Sequence, residues 1–168
     1  MTKMLDRLQG PDPAQPPPAP TIAAMASRLE TRSDWLRANP PAPERLTQTL
    51  ALLAERLRDG EGLRHALGEF LDEYSLRNDD ASRSAAISER PPQTEERHYE
   101  ALLGALAEHL ATIHSLERPQ WSVEPGRFLE RFWFLSEVPG FRASAIAQAP
   151  AAFRRRGIFI PERSLHRV

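Results

Sequence analysis

His109 and His114 stand five residues apart, with Glu108 beside the first. A zinc-binding helix sets two imidazoles four residues apart, because i and i+4 share a face. Five residues turn the two rings about 140° from each other on a helix of 3.6 residues per turn. The pair therefore reads as surface or boundary histidines, and His98, at a helix start before Tyr99, as solvated. His65 and His166 complete the set of five. Carboxylates gather at Glu69, Asp72 and Glu73, and again at Glu95 and Glu96. Both groups fall beside or opposite an apolar stripe, where solvated charge is the usual meaning. Ser122, Ser136 and Ser144 lack the Gly-x-Ser-x-Gly setting of a nucleophile elbow. The stretch "DGEGLRH" lacks the spacing and the Lys-Ser/Thr of a phosphate loop. There is no cysteine, which excludes disulfides, thiolate metal sites and Cys nucleophiles. No catalytic constellation, metal site or cofactor site emerges, and the expectation is a protein that is not an enzyme.

One stretch remains. "APAAFRRRGIFI" (149–160) sets Arg154, Arg155 and Arg156 between Phe153 and the apolar triplet Ile158, Phe159, Ile160. Arginines in a last helical turn complement the negative helix end, worth about 0.3–1 kcal/mol each. Arg beside aromatics is also the composition that protein interfaces favour. It would equally suit stacking and phosphate contact with RNA. A tail folded onto its own core is the plainer alternative.

The elements that must position these residues are helical. The 168 residues carry 22 Lys+Arg against 23 Asp+Glu, a net charge of −1. This balance speaks against a dedicated nucleic-acid binder, which would need a local patch. Lys3 is the only lysine. Apolar runs are far shorter than the roughly 20 residues that span a bilayer, and "MTKMLDRLQG" is not built as a secretory signal. A cytoplasmic location is the expectation, without membrane association.

Residues 1–20 contain "GPDPAQPPPAP", a proline-rich leader expected to be disordered. Residues 21–76 read as an N-terminal helical part. "TIAAMASRLETRSDWLRA" puts Ile22, Met25 and Leu29 near one face, and "NPPAP" stops it. Pro43 suits the first position of the next helix, where Leu46, Leu50, Leu53 and Leu57 form a stripe. Gly60 and Gly62 end it, and Leu63, Leu67, Phe70, Leu71 and Tyr74 continue on one side of a following helix. The two make an antiparallel αα-hairpin. As a DNA-reading helix-turn-helix, the second helix would offer Arg64 and His65 and then three acids facing phosphate.

Residues 77–94 are polar with a Pro-Pro pair and read as a mobile linker holding at most a short helical turn. From Glu95 to about Ser115 runs the strongest helix. Tyr99, Leu102, Leu103, Leu106, Leu110 and Ile113 form its stripe, with Thr94 as the predicted N-cap. The last third gathers Phe128, Phe132, Phe134, Phe141, Phe153 and Phe159 among proline-punctuated short helices starting at Pro125, Pro139 and Pro150. Gly157 sits where a helix C-terminal glycine would be, and "IFI" is too short to read as a strand. No run of alternating residues has strand length. The expected class is all-α: five to eight helices, a Pro-rich N-terminus and an irregular helical C-terminal domain over 95–168.

"WSVEPGRFLERFWF…APAAFRRRGIFIPERSLHRV" resembles the C-terminal signature of a family of small bacterial proteins. These pair an aromatic "W-F" segment with a tail of the form (S/A)P-x-x-F-x-x-R-(G/N)-(I/V)-F. The matching positions are Trp121, Phe128, Leu129, Trp133, Phe134, Pro150, Phe153, Arg156, Gly157, Ile158 and Phe159. Some members carry a helix-turn-helix domain upstream, which this chain does not match. Many are encoded beside a minimal nucleotidyltransferase-like protein, as in a toxin–antitoxin pair. The resemblance implies an antitoxin-like module that binds and neutralises a protein partner, a nucleotidyltransferase-type toxin. On that basis Trp121, Phe128, Trp133, Phe134, Phe153, Arg154, Arg155, Arg156, Ile158 and Phe159 are the expected partner-binding residues. Phe153, Phe159 and Trp133 would be apolar anchors, and the arginines would pair with metal-holding carboxylates of the partner. A nucleic-acid-associated regulator and an adaptor subunit, or a homo-oligomer through the Leu46–Leu57 stripe, are the alternatives.

Overall fold

The computed structural model describes residues 46–136 and 138–165. The expectations for 1–20, for the first helix and for Pro43 lie outside the described residues. The described chain is mostly helical, as the stripes require, with six α-helices among those residues.

Helix α1 spans Leu50–Arg58. It begins later than its stripe suggests, because Thr49 caps it: Thr49 Oγ1 accepts from the Leu52 amide at 3.1 Å. Leu46 stays outside the helix, half-buried. Gly60, at φ +89°, ends α1. Its amide donates to Leu57 O, and the Glu61 amide donates to Arg56 O. These two bonds close the last turn, and the left-handed residue between helix and loop favours glycine.

Helix α2 spans Leu63–Ser75 and buries Ala66, Leu67, Phe70, Leu71 and Tyr74. It packs on α1, as an αα-hairpin should. Arg77 follows it and is 4% exposed. It donates to the carbonyls of Leu46, Gln48 and Ser82, so one guanidinium ties the start of α1 to the next segment.

That next segment corrects the expectation of a linker over 77–94. Residues Asp80–Ser88 form a third helix, α3, capped by Asp79, whose carboxylate accepts from the Ser82 amide at 2.8 Å. Its polar residues hide a two-residue apolar footprint: Ala86 and Ile87 are buried in the core. Two buried positions in nine residues are too few for a periodic signal.

Helix α4 spans Arg97–Ile113 and runs through the centre. It touches α1, α3 and the C-terminal elements. A helix covered from several sides is apolar all round, and here Ala101 to Ala107 are buried without interruption, as are Leu110 and Ala111. Ile113, expected in the stripe, is exposed. Thr94 does not cap this helix with its side chain. The Glu100 carboxylate reaches back to it instead, accepting from the Thr94 amide at 2.6 Å and from Oγ1 at 2.8 Å.

The C-terminal third is built of short pieces. Two 3₁₀ turns, Gln120–Val123 and Pro125–Arg127, lie against α4. After a 3₁₀ turn at Pro139–Phe141 come α5 (Arg142–Gln148) and α6 (Ala151–Arg154). The structure adds what no alternating run announced: two strands of two residues each. These are β1 (Trp133–Phe134) and β2 (Ile158–Phe159), paired in parallel as Trp133↔Ile158 and Phe134↔Phe159. Gly157, at φ +76°, turns the chain from α6 into β2. No helix among the described residues is long and apolar enough to cross a membrane.

Candidate protein-binding face

The three arginines of the tail have three different fates. Arg156 is fully enclosed. Its Nη1 donates to Glu108 Oε2 at 2.6 Å and to Ala152 O at 2.7 Å, and its Nη2 donates to Ser122 O at 2.6 Å. Burial lowers its pKa, and the hydrogen bond to Glu108 opposes that shift. Arg155 is partly exposed and shares Glu108 Oε2, at 2.6 Å. Phe128 lies under both guanidinium groups, at 4.8 Å from Arg156 and 5.6 Å from Arg155. Arg154 is exposed and has no ion pair among the described residues.

The apolar residues of the tail also turn inward. Phe153 and Ile158 are fully buried in the main core, and Phe159 is 7% exposed. His109 corrects the expectation of a surface or boundary histidine: it is buried, 6% exposed, and edge-on to Phe153 at 5.7 Å. His114 packs on Tyr74 at 5.7 Å, so the two imidazoles are apart, as their spacing demanded. His98 is half-buried between Tyr99 and Trp133.

Trp121 is buried and donates its Nε1–H to Ser88 O at 3.0 Å, with the Arg127 guanidinium 4.9 Å above its ring. Arg127 is buried too, like Arg77 and Arg156, and is paired with Glu100 at 2.7 Å. Ser122 is buried and donates to Pro119 O at 2.7 Å, a structural bond. Of the ten expected partner-binding residues, Trp121, Phe153, Arg156, Ile158 and Phe159 are interior. The reason is one of balance: this small core needs the tail's apolar surface, and Glu108 needs a cation.

Sequence reading passed over Arg77, Glu100, Glu108 and Arg127 as structural partners. Arg127 meets Glu100 across 27 residues and Arg156 meets Glu108 across 48, distances that leave no local mark, and Arg77 is tied mostly to bare carbonyls. One group of three potential metal ligands forms among the described residues, Glu61, His65 and Glu69, at the α1–α2 turn. Arg56 already grips both carboxylates, with its Nε 2.7 Å from Glu61 Oε2. This pairing lowers the Glu61 pKa. The group therefore reads as an ion-pair clamp on the turn.

Five large apolar residues stay exposed among the described residues: Ile113 and, in the C-terminal third, Phe132, Val138, Phe141 and Ile146. Phe132 is 77% exposed, and Val138, Phe141 and Ile146 are each about half exposed. Phe134 stacks on Phe159 at 5.0 Å and packs with Ala145 and Ala149 of the α5 segment. Phe132 meets Phe159 edge-on at 5.2 Å. Arg142 lies over the Phe134 ring at 5.3 Å, and Arg131 is exposed beside Phe132. The "RFWF" run marks this place in the sequence; which of its aromatics face outward depends on the β1–β2 pairing. No protein-family profile, curated protein or solved structure matches the chain.

Proposed function

We propose that this chain is a non-enzymatic, cytoplasmic protein-binding module of antitoxin-like type, which neutralises a partner protein through its C-terminal segment. The observation that carries the reading is Phe132, a large aromatic 77% exposed next to a strand whose Phe134 stacks on Phe159. Contiguous apolar surface rimmed by charge is what protein partners bind. The resemblance of residues 120–168 to antitoxin-like proteins points to a nucleotidyltransferase-type toxin as that partner.

The binding element in this reading is the segment 132–146 together with Arg154. The buried part of the tail serves to hold that segment in place. Truncation after Pro150 is consequently a poor test, since it would strip Phe153, Arg156 and Ile158 from the core. A double substitution, Phe132→Ser with Phe141→Ser, removes exposed aromatics only. Capture of a stoichiometric protein partner from the native host should be lost with this variant while its circular dichroism stays that of the parent. Unchanged capture by the double variant would sink the reading.

A further inference from the structure

Resting on this protein-binding reading, we propose that the outer edge of β1 is a strand-addition site that takes an extended, acidic segment of the partner. The backbone register carries the argument. The Trp133 amide donates to Gly157 O at 2.8 Å, and the Leu135 amide donates to Phe159 O at 3.2 Å. Amides alternate in direction along a strand, so Phe134 between them turns its N–H and C=O away from β2. No described residue bonds the Phe134 amide. β2 lies on one side of β1, and α5 contacts β2 and the Phe134 ring. Among the described residues no strand lies on the other side of β1, and unpaired strand edges are where extended chains add.

Charge selects the kind of segment. Arg131, Arg142 and Arg154 are exposed and have no carboxylate partner among the described residues. Glu130 is the one exposed described acid beside β1 in sequence. An incoming strand would set alternate apolar side chains beside Phe132 and Phe134, and carboxylates toward Arg142 and Arg131. Arginine recognises carboxylates by paired hydrogen bonds, which favours acidic over basic segments.

Proline at position 134 separates strand addition from any other use of this segment. Phe134→Pro deletes the outward N–H and leaves the two inward amides intact, and proline is tolerated where a strand's N–H faces solvent. Phe134→Ala also loses the ring but keeps the N–H. The probe is a phage-displayed library of random peptides, about 16 residues long to span an edge strand and its flanks, selected on the full chain. The expected result is enrichment of acidic peptides with alternating apolar residues. Their affinity should fall at least tenfold further for Phe134→Pro than for Phe134→Ala, both variants keeping the parent circular dichroism.

Equal binding by the two variants would overturn the proposal, as would enriched peptides of helical spacing or basic charge, or no enrichment. If either variant loses its fold, Arg131→Glu with Arg142→Glu replaces it, and acidic peptides that bind this variant as tightly as the parent would overturn the proposal. A dimer in light scattering that Phe134→Pro dissolves would place a second copy at the edge, against it. These outcomes leave the partner-capture test of the Phe132/Phe141 variant standing, so the two readings fail separately.

Discussion

Arg156 and Glu108 meet at 2.6 Å across 48 residues of sequence, with the arginine fully enclosed. The pair joins the C-terminal tail to the central helix. Ser122 O and Ala152 O complete the guanidinium's partners, and its Nε is left without one. Removing one member of a buried pair leaves a charge stranded, typically at a cost of about 3–5 kcal/mol, whereas an apolar replacement of similar volume is far milder. Arg156→Ala leaves Glu108 paired with Arg155 alone, and should lower stability by about 3 kcal/mol in urea unfolding, the low end of that range. Arg156→Met together with Glu108→Gln should cost clearly less. Equal losses would mean that the contact acts through volume alone.

Gly104 makes this packing possible. A Cβ there would lie 2.9 Å from Ser122 O, 2.9 Å from Arg127 Cβ and 3.2 Å from Arg156 Nε. Alanine normally favours a helix interior by about 1 kcal/mol over glycine. Here the neighbours include a backbone carbonyl and a buried guanidinium that cannot move aside. Gly104→Ala should destabilise by about 1–3 kcal/mol, the range for overpacking. A stabilised variant in thermal unfolding would show that the 3₁₀ turns yield.

Helix α3 is a test of whether 77–94 belongs to the core. Ile87 is fully buried, and Ser88 O takes the Trp121 indole proton. Ile87→Ala should cost about 2–5 kcal/mol, as in other cores. A linker residue would give almost no change. Trp121→Phe, which loses only that hydrogen bond and some area, should cost about 1 kcal/mol.

Two ring neighbours bound the stable pH range. Burial and Arg83 hold His114 below the usual imidazole range. The unfolded chain then binds the proton more readily, so this contribution is whole above about pH 6.5 and fades as pH falls below it. Burial pushes the Tyr74 phenol up to about 12, and its hydroxyl has no hydrogen-bond partner. That contribution is whole below about pH 10, the ordinary tyrosine value, and fades as pH rises toward about 12. His114→Gln should flatten the melting temperature between about pH 7 and 5, and Tyr74→Phe should flatten it between about pH 9.5 and 11.5. Parallel curves for variant and parent would remove these groups from the account.

The amino-acid sequence by itself determined the helices that pack on one face and the places where they stop. Leu50, Leu53 and Leu57, and then Leu67, Phe70, Leu71 and Tyr74, announce their buried sides by spacing. Gly60 announces its turn because few other residues take that backbone conformation. Only the tertiary structure decided what the tail does. Arg156 and Phe153 look like the rest of "AAFRRRG" in composition, yet they lie inside, while Arg154 lies outside. That division follows from where Glu108 and Ser122 O stand, on segments 48 and 34 residues away. The same holds for β1 and β2: two residues each make no local pattern, and they exist because Gly157 O and Phe159 O lie within reach of Trp133 and Leu135. Periodicity reports burial along one element; pairing between distant elements leaves no such trace.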